Sequence, residues 1–195
     1  VLSAALRAHD PWLRPVPVLL PASTDGRHFA RLGIQSYGFT PMTLPPDLAF
    51  RTKGQLAIDL IGEVLADGIR FDFACGDEVY GSCTQLREHL EAAGQAYVLR
   101  VPSNFTLTLA AGVTMTCAQA VTALLQQPRR WEIRSAGGGS KGQRWYAWAW
   151  LATASPRHHL LVRRHSRTGE LAFHYCWVPE GQLLTKALLI RAAGL

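Results

Sequence analysis

Residues 70–84 read RFDFACGDEVYGSCT, an apolar run through Phe71, Phe73, Ala74 and Cys75 followed at once by two acids, Asp77 and Glu78. A short apolar run bounded by turn residues reads as a buried strand. An acid at the exposed end of a strand stands where catalytic carboxylates gather on a rigid scaffold. The same position also suits the cap of a following helix or a turn. The local pattern leaves both readings open, and the flanks supply the context.

Upstream, GQLAIDLIGEVLADG repeats Leu56, Leu60, Ile61, Val64 and Leu65 at helical spacing with Gly68 as a stop, which predicts an amphipathic helix over 54–67. Downstream, Ser82 or Thr84 offers a cap for a helix through Leu86, Leu90 and Ala93, ended by Gly94, and YVLRV at 97–101 reads as a strand. Helix, strand, helix, strand argues for an α/β fold with parallel strands, in which ligands bind beyond the carboxyl ends of the strands. Asp77 occupies such an end. Beyond Val101 the sequence becomes β-rich: WEIRS, RWYAWAWLA, HLLVRR and ELAFHYCW are separated by GGG, SPR and TG turns, after a helix-like TCAQAVTALLQQ that stops at Pro128. LLTKALLIRAAGL closes the sequence in a helical pattern.

Length and composition narrow the class. At 195 residues and 48% hydrophobic, the chain holds enough apolar material for one core, or one and a fraction. No run of about 18 uncharged apolar residues occurs, and Arg7, His9 and Asp10 break the N-terminal stretch, so the expectation is a cytoplasmic protein without a membrane span. Cys75, Cys83, Cys117 and Cys176 show no CxxC spacing, which argues against a zinc knuckle or a disulfide framework. AGGGSKG lacks the order of a phosphate-cradling GxxxxGK[ST] loop and reads as a hairpin turn. His158 and His159, adjacent on a strand, point to opposite faces, and His165 and His174 stand alone, so the histidines do not make a metal cluster.

The net charge of +6 is concentrated. Residues 51–128 carry five Lys and Arg against eight acids, whereas residues 129–167 carry nine against one. The basic segment interleaves Arg129, Arg130, Arg134, Lys141, Arg144, Arg163, Arg164 and Arg167 with Trp and Tyr. Such a stretch suits a nucleic-acid backbone, because each cation that neutralises a phosphate releases condensed counterions. A solvated face of an ordinary basic protein is the alternative.

From residue 51 onward, ACGDEVYG, LREHLEAAGQAYVLRVP, SAGGGSKGQRWYAWA, LLVRRHSRTGELAFHY and LLTKALLIRAAG resemble, in family order, the C-terminal half of a DDE transposase from a bacterial insertion sequence. The resemblance implies an RNase H-like core with a β-rich insertion, here about 102–180. It implies DNA as partner and Mg²⁺ or Mn²⁺ held by three carboxylates, two ions that activate a nucleophile and stabilise the leaving oxygen at a phosphodiester. Asp77 matches the second acid of that triad, with Glu78 as a neighbour. The family's first acid lies on an upstream strand before a Lys-Gly turn, and its third follows the closing helix; neither pattern occurs here. The expectation is an incomplete RNase H-like core, at most DNA-binding, that self-associates through exposed sheet edges.

The first fifty residues resemble a different family. VPVLLPASTDGRHFARLGIQSYGFTPMTLPPDLAF, through Thr24-Asp25-Gly26-Arg27 and Tyr37-Gly38-Phe39-Thr40-Pro41, is similar to the C-terminal part of the zinc metallopeptidases that include acetylornithine deacetylase and succinyl-diaminopimelate desuccinylase. That resemblance gives Arg27 a place near a substrate carboxylate and implies Zn²⁺ under this alternative. Ser23, Asp25 and His28 are too crowded for a nucleophile triad and read as a capped turn. Together the two resemblances predict a short α/β peptidase-like fragment at 1–50 fused near Phe50 to a partial transposase at 51–195. A fragment of a zinc-dependent amidohydrolase and a non-enzymatic interaction module are the competing functions.

Overall fold

Thr52 opens the first described helix, α1 (Lys53–Ala66), through a reciprocal capping box: its hydroxyl accepts from the Gln55 amide while the Gln55 side chain accepts from the Thr52 amide. The structure is a computed structural model that describes residues 51–139 and 142–194, within the compact unit Ala49–Leu195. Arg27 and Lys141 lie outside the described residues, as does the peptidase-like stretch. Gly68, at φ 78, ends α1 where the sequence places its stop. The helix is rotated from the expected orientation. Ala57, Ile58 and Ile61 pack against the cluster of Leu86, Leu90, Tyr97 and Leu99, and Leu56 and Leu60 face outward.

Strand β1 (Ala74–Gly76) is shorter than the expected 71–75 and starts later. It pairs in parallel with β2 (Tyr97–Val101), the register running from Ala74 opposite Tyr97 to Gly76 opposite Leu99. The ladder cannot extend back to Phe71, because the partner backbone upstream of Tyr97 is turning out of helix α3 (Thr84–Ala92) through Gly94 at φ 66. Gln95 fills the gap instead, its side-chain amide donating to the Phe71 carbonyl at 3.0 Å. Between β1 and α3 lies a single-turn helix, α2 (Glu78–Gly81). The N-cap of α3 is Cys83 rather than Ser82 or Thr84, and it makes no side-chain capping bond.

The segment expected as an insertion extends the same sheet. After a small hairpin, β3 (Thr106–Thr108) with β4 (Thr114–Thr116), come α4 (Cys117–Leu124), a 3₁₀ turn at Pro128–Arg130, and strands β5 (Glu132–Gly139), β6 (Gly142–Ala152), β7 (His158–His165) and β8 (Leu171–Trp177). The strand order is β1-β2-β8-β7-β6-β5, so β8 returns to pair antiparallel with β2 along its whole length. The meander β5–β8 is antiparallel throughout, as the spacing of its turns predicts.

The sheet curls around the last helix, α5 (Lys186–Ala193). Cys75, on the β1 edge, donates its thiol to the Ala192 carbonyl at 3.3 Å, while Arg144 of β6 donates to the carbonyls of Gly194 and of Ala136 on the β5 edge. Both edges therefore meet one helix end, and the face that carries α5 is concave. Trp148, Leu161, Val98 and Cys176 from that face pack with Leu189 and Ile190 of α5. The opposite face buries Val101, Ala149, Leu160, Val162 and Phe173 under α4 and the β3–β4 hairpin, with α3 covering Tyr97 and Leu99 beside them.

Gly81 sets how closely α2 sits on β2: a Cβ there would lie 1.8 Å from the Arg100 carbonyl oxygen. Neither partner is a flexible side chain, so Gly81→Ala forces backbone apart and costs about 2–3 kcal/mol. Urea denaturation checks this value, with Gly62→Ala, where open space surrounds the added methyl, changing stability little.

Candidate functional site

Asp77 stands immediately after Gly76, at the carboxyl end of β1 and exposed. It is also the N-cap of α2, one carboxylate oxygen accepting from the Val79 amide at 2.9 Å. The two readings of residue 77 thus coincide: the acid ends a strand and caps the helix that follows. Capping fixes the carboxylate at the sheet rim, and its other oxygen has no hydrogen bond among the described residues. Glu78 turns away from Asp77 and forms an ion pair with Arg100 of β2 at 3.1 Å. Among the described residues no group of three His, Cys, Asp or Glu side chains is placed to hold a metal ion. A two-ion site needs carboxylates that bridge, and the described residues do not fit a pair of ions.

The basic segment does not present one face. Strand alternation sends Arg163 to the concave side, its guanidinium 4.6 Å from the Tyr146 ring centre, and Arg164 to the convex side, 4.1 Å from that of Trp131. Arg134 shares the concave side with Tyr146, its register partner, and is paired with Glu132, which Lys186 also contacts at 2.5 Å. These two cations hold the Glu132 carboxyl below the usual carboxylate range. Arg144 is committed to the Gly194 and Ala136 carbonyls and braces the fold. Arg129 and Arg130 are exposed in the 3₁₀ turn, Arg129 bonded to the Gln127 side chain, and Arg167 is exposed in the β7–β8 turn.

Two arrangements escaped the sequence reading. The first is His174, 6% exposed on the concave face of β8, directly opposite Arg100 and next to Trp148. Burial, then the charges of Arg163 and Arg100, push its imidazole down to about 4. The second lies on the convex side, where Glu91 of α3 accepts from the Tyr97 hydroxyl at 2.7 Å and contacts His158 Nε2 at 3.0 Å. His158 Nδ1 lies 2.9 Å from the Pro156 carbonyl, so both ring nitrogens face acceptors. Glu91 and His158 border a cavity of about 330 Å³ that Phe105 and Tyr175 also line. No local sequence signal marks either arrangement, because each depends on which strand lies beside which.

The DDE superfamily endonuclease family matches residues 40–155, more than half of the chain. The chain belongs to the DDE superfamily endonucleases. The match covers Asp77 and begins ten residues before Phe50, inside the stretch that resembles a peptidase; nothing supports the peptidase resemblance itself. No curated protein matches the chain. The curled mixed sheet agrees with a DDE nuclease-like fold, and no helix among the described residues is long and apolar enough to cross a membrane.

His174 supplies a pH test of this geometry. The unfolded imidazole titrates near 6.5, so between 6.5 and 4 the unfolded chain takes up the proton and the folded one does not. Stability is fully present above pH 6.5 and falls as the pH drops toward 4, by about 2 kcal/mol at pH 5 relative to pH 7.5. Denaturation midpoints across this range check the slope, which His174→Gln flattens.

Proposed function

We propose that the chain is transposase-derived and binds DNA through its phosphate backbone, with strand cleavage and transfer as the ancestral chemistry. The observation that carries the reading is Asp77, at the carboxyl end of the parallel strand β1 within the matched DDE endonuclease region. Open α/β sheets place ligands at that end, and the cations Arg134 and Arg163 lie on the concave face of the same sheet. Asp77 acts as the remaining acid of the triad that the resemblance implies. Alone it offers one oxygen-donor side chain, so Mg²⁺ or Mn²⁺ finds no bridging partner within the described residues. The domain division proposed is 1–50 and 51–195.

Purified chain with Mn²⁺ or Mg²⁺ neither nicks nor joins duplex DNA, and turnover that disappears in Asp77→Ala overturns the catalytic part of the reading. Duplex binding is weak and indifferent to sequence. Because Arg163 and Arg164 lie on opposite faces, one duplex meets about three cations, and log K falls against log salt with a slope near about −2.7. A fluorescence titration at several salt concentrations measures the slope. Absence of binding at low salt by folded protein sinks the DNA-binding reading and leaves the basic segment as a solvated face.

A further inference from the structure

The convex face of the sheet has an open corner that neither Asp77 nor the concave cations use. Register puts Ile133 of β5, Ala147 of β6 and Arg164 of β7 in one row across three strands, and Trp145 stands two residues along β6 on the same side. That side is the convex one, since Ala149, two residues beyond Ala147, is buried in the core under α4. Ile133 is 71% exposed and Trp145 55%, the one aromatic residue so exposed among the described residues. Arg164 is fixed beside them, its guanidinium 4.1 Å from the centre of the Trp131 ring, which donates through Nε1 to the Leu125 carbonyl at 2.8 Å. Arg129 and Arg130 are exposed in the turn that leads directly into Trp131. No carboxylate pairs with any of these three arginines among the described residues. From residue 92 to residue 169 the sequence holds one acid, Glu132. It is turned to the opposite face, where Arg134 and Lys186 hold it.

An exposed indole beside guanidinium groups that no acid neutralises is a receptor for a chain that offers flat rings and repeated negative charge together. We infer that Trp145, Ile133, Arg164, Arg129 and Arg130 form a platform for an unpaired DNA strand, with a base stacked on Trp145 and phosphates on the three arginines. The inference rests on the DNA-binding reading for the partner and differs from it in face and in strandedness. A duplex keeps its base faces inside the stack, away from the indole, and a stiff rod meets a convex surface along a narrow line. A single strand exposes its bases and bends to follow the curve. Trp131 lies four residues from Ser135, the partner of Trp145, so the indole that holds Arg164 and the stacking indole are roughly 13 Å apart along the strand. Ile133 stands between them.

The test is a fluorescence-anisotropy titration of the full chain with labelled oligothymidylate of about 12 nucleotides, beside a duplex of the same length. The single strand binds with a slope of log K against log salt of about −2.1, three phosphates at about 0.7 each. Trp145→Ala weakens single-strand binding about tenfold and leaves duplex binding unchanged, Trp145→Phe stays within about twofold of the wild type, and Arg164→Gln lowers the slope by about 0.7. Leu183→Ala, which removes an equally exposed apolar side chain elsewhere, changes neither. Single-strand binding undiminished in Trp145→Ala, or lost there together with duplex binding, overturns the platform. Polyglutamate bound as tightly as the oligonucleotide, or a concentration-dependent dimer that Trp145→Ala dissolves, assigns the corner to an acidic peptide or to a second copy and overturns it as well. Single-strand binding without duplex binding keeps the platform and removes the duplex reading. Duplex binding without single-strand binding does the reverse.

Discussion

The antiparallel pairing of β2 with β8 holds the architecture together. Five residue pairs, from Tyr97 opposite Trp177 to Val101 opposite Phe173, join the short parallel unit to the long antiparallel meander. Without this seam β1 and β2 are two strands with helices on one side, too little surface to stand alone in water. With it, Tyr97 stacks on Trp177, Val98 joins the core of Trp148 and Leu161, and Arg100 is brought opposite His174. The joining of the rim near Asp77 to the rest of the sheet follows from this one strand pairing.

The seam also separates chemistry by face. Period-two alternation turns successive residues of β7 alternately toward α5 and toward α4, so Arg163 and Arg164 serve different surfaces although they adjoin in sequence. On the convex side the polar groups meet one another: the Tyr97 hydroxyl donates to Glu91, which also contacts His158, and burial with the Glu91 contact drives the Tyr97 hydroxyl far above its ordinary range. On the concave side they are not, and His174 keeps an unpaired nitrogen. A satisfied network rigidifies, whereas an unpaired buried nitrogen costs stability.

Much of this was legible in the sequence where one segment decides its own structure. Gly68, Gly94 and the YVLRV strand carry their signals locally, and they fold where those signals place them. Phe71 and Phe73 were misread because their strand length is set by a partner that begins only at Tyr97. Spacing alone points Leu56 and Leu60 inward, yet the helix faces its neighbours with Ala57, Ile58 and Ile61. The argument that separates His158 from His159 applies equally to Arg163 and Arg164, so that part of the charged surface was available from period two. The approach of Arg100 to His174 was not, because it joins residues 74 positions apart through a strand order that no local pattern encodes.

The closing helix has a consequence for how the molecule is made. Cys75 at one sheet edge and Ala136 with Arg144 at the other are all held by residues 192–194. During synthesis the strands emerge well before the segment that joins their edges, and such long-range contacts are the slow ones to form. For that interval the nascent sheet has two open margins and an uncovered hollow, the condition in which chains pair wrongly with one another. Arrival of the last helical turn fills the hollow and ties both margins to one point in a single step, so the order of translation, as well as the final packing, bears on how the polypeptide reaches its native form.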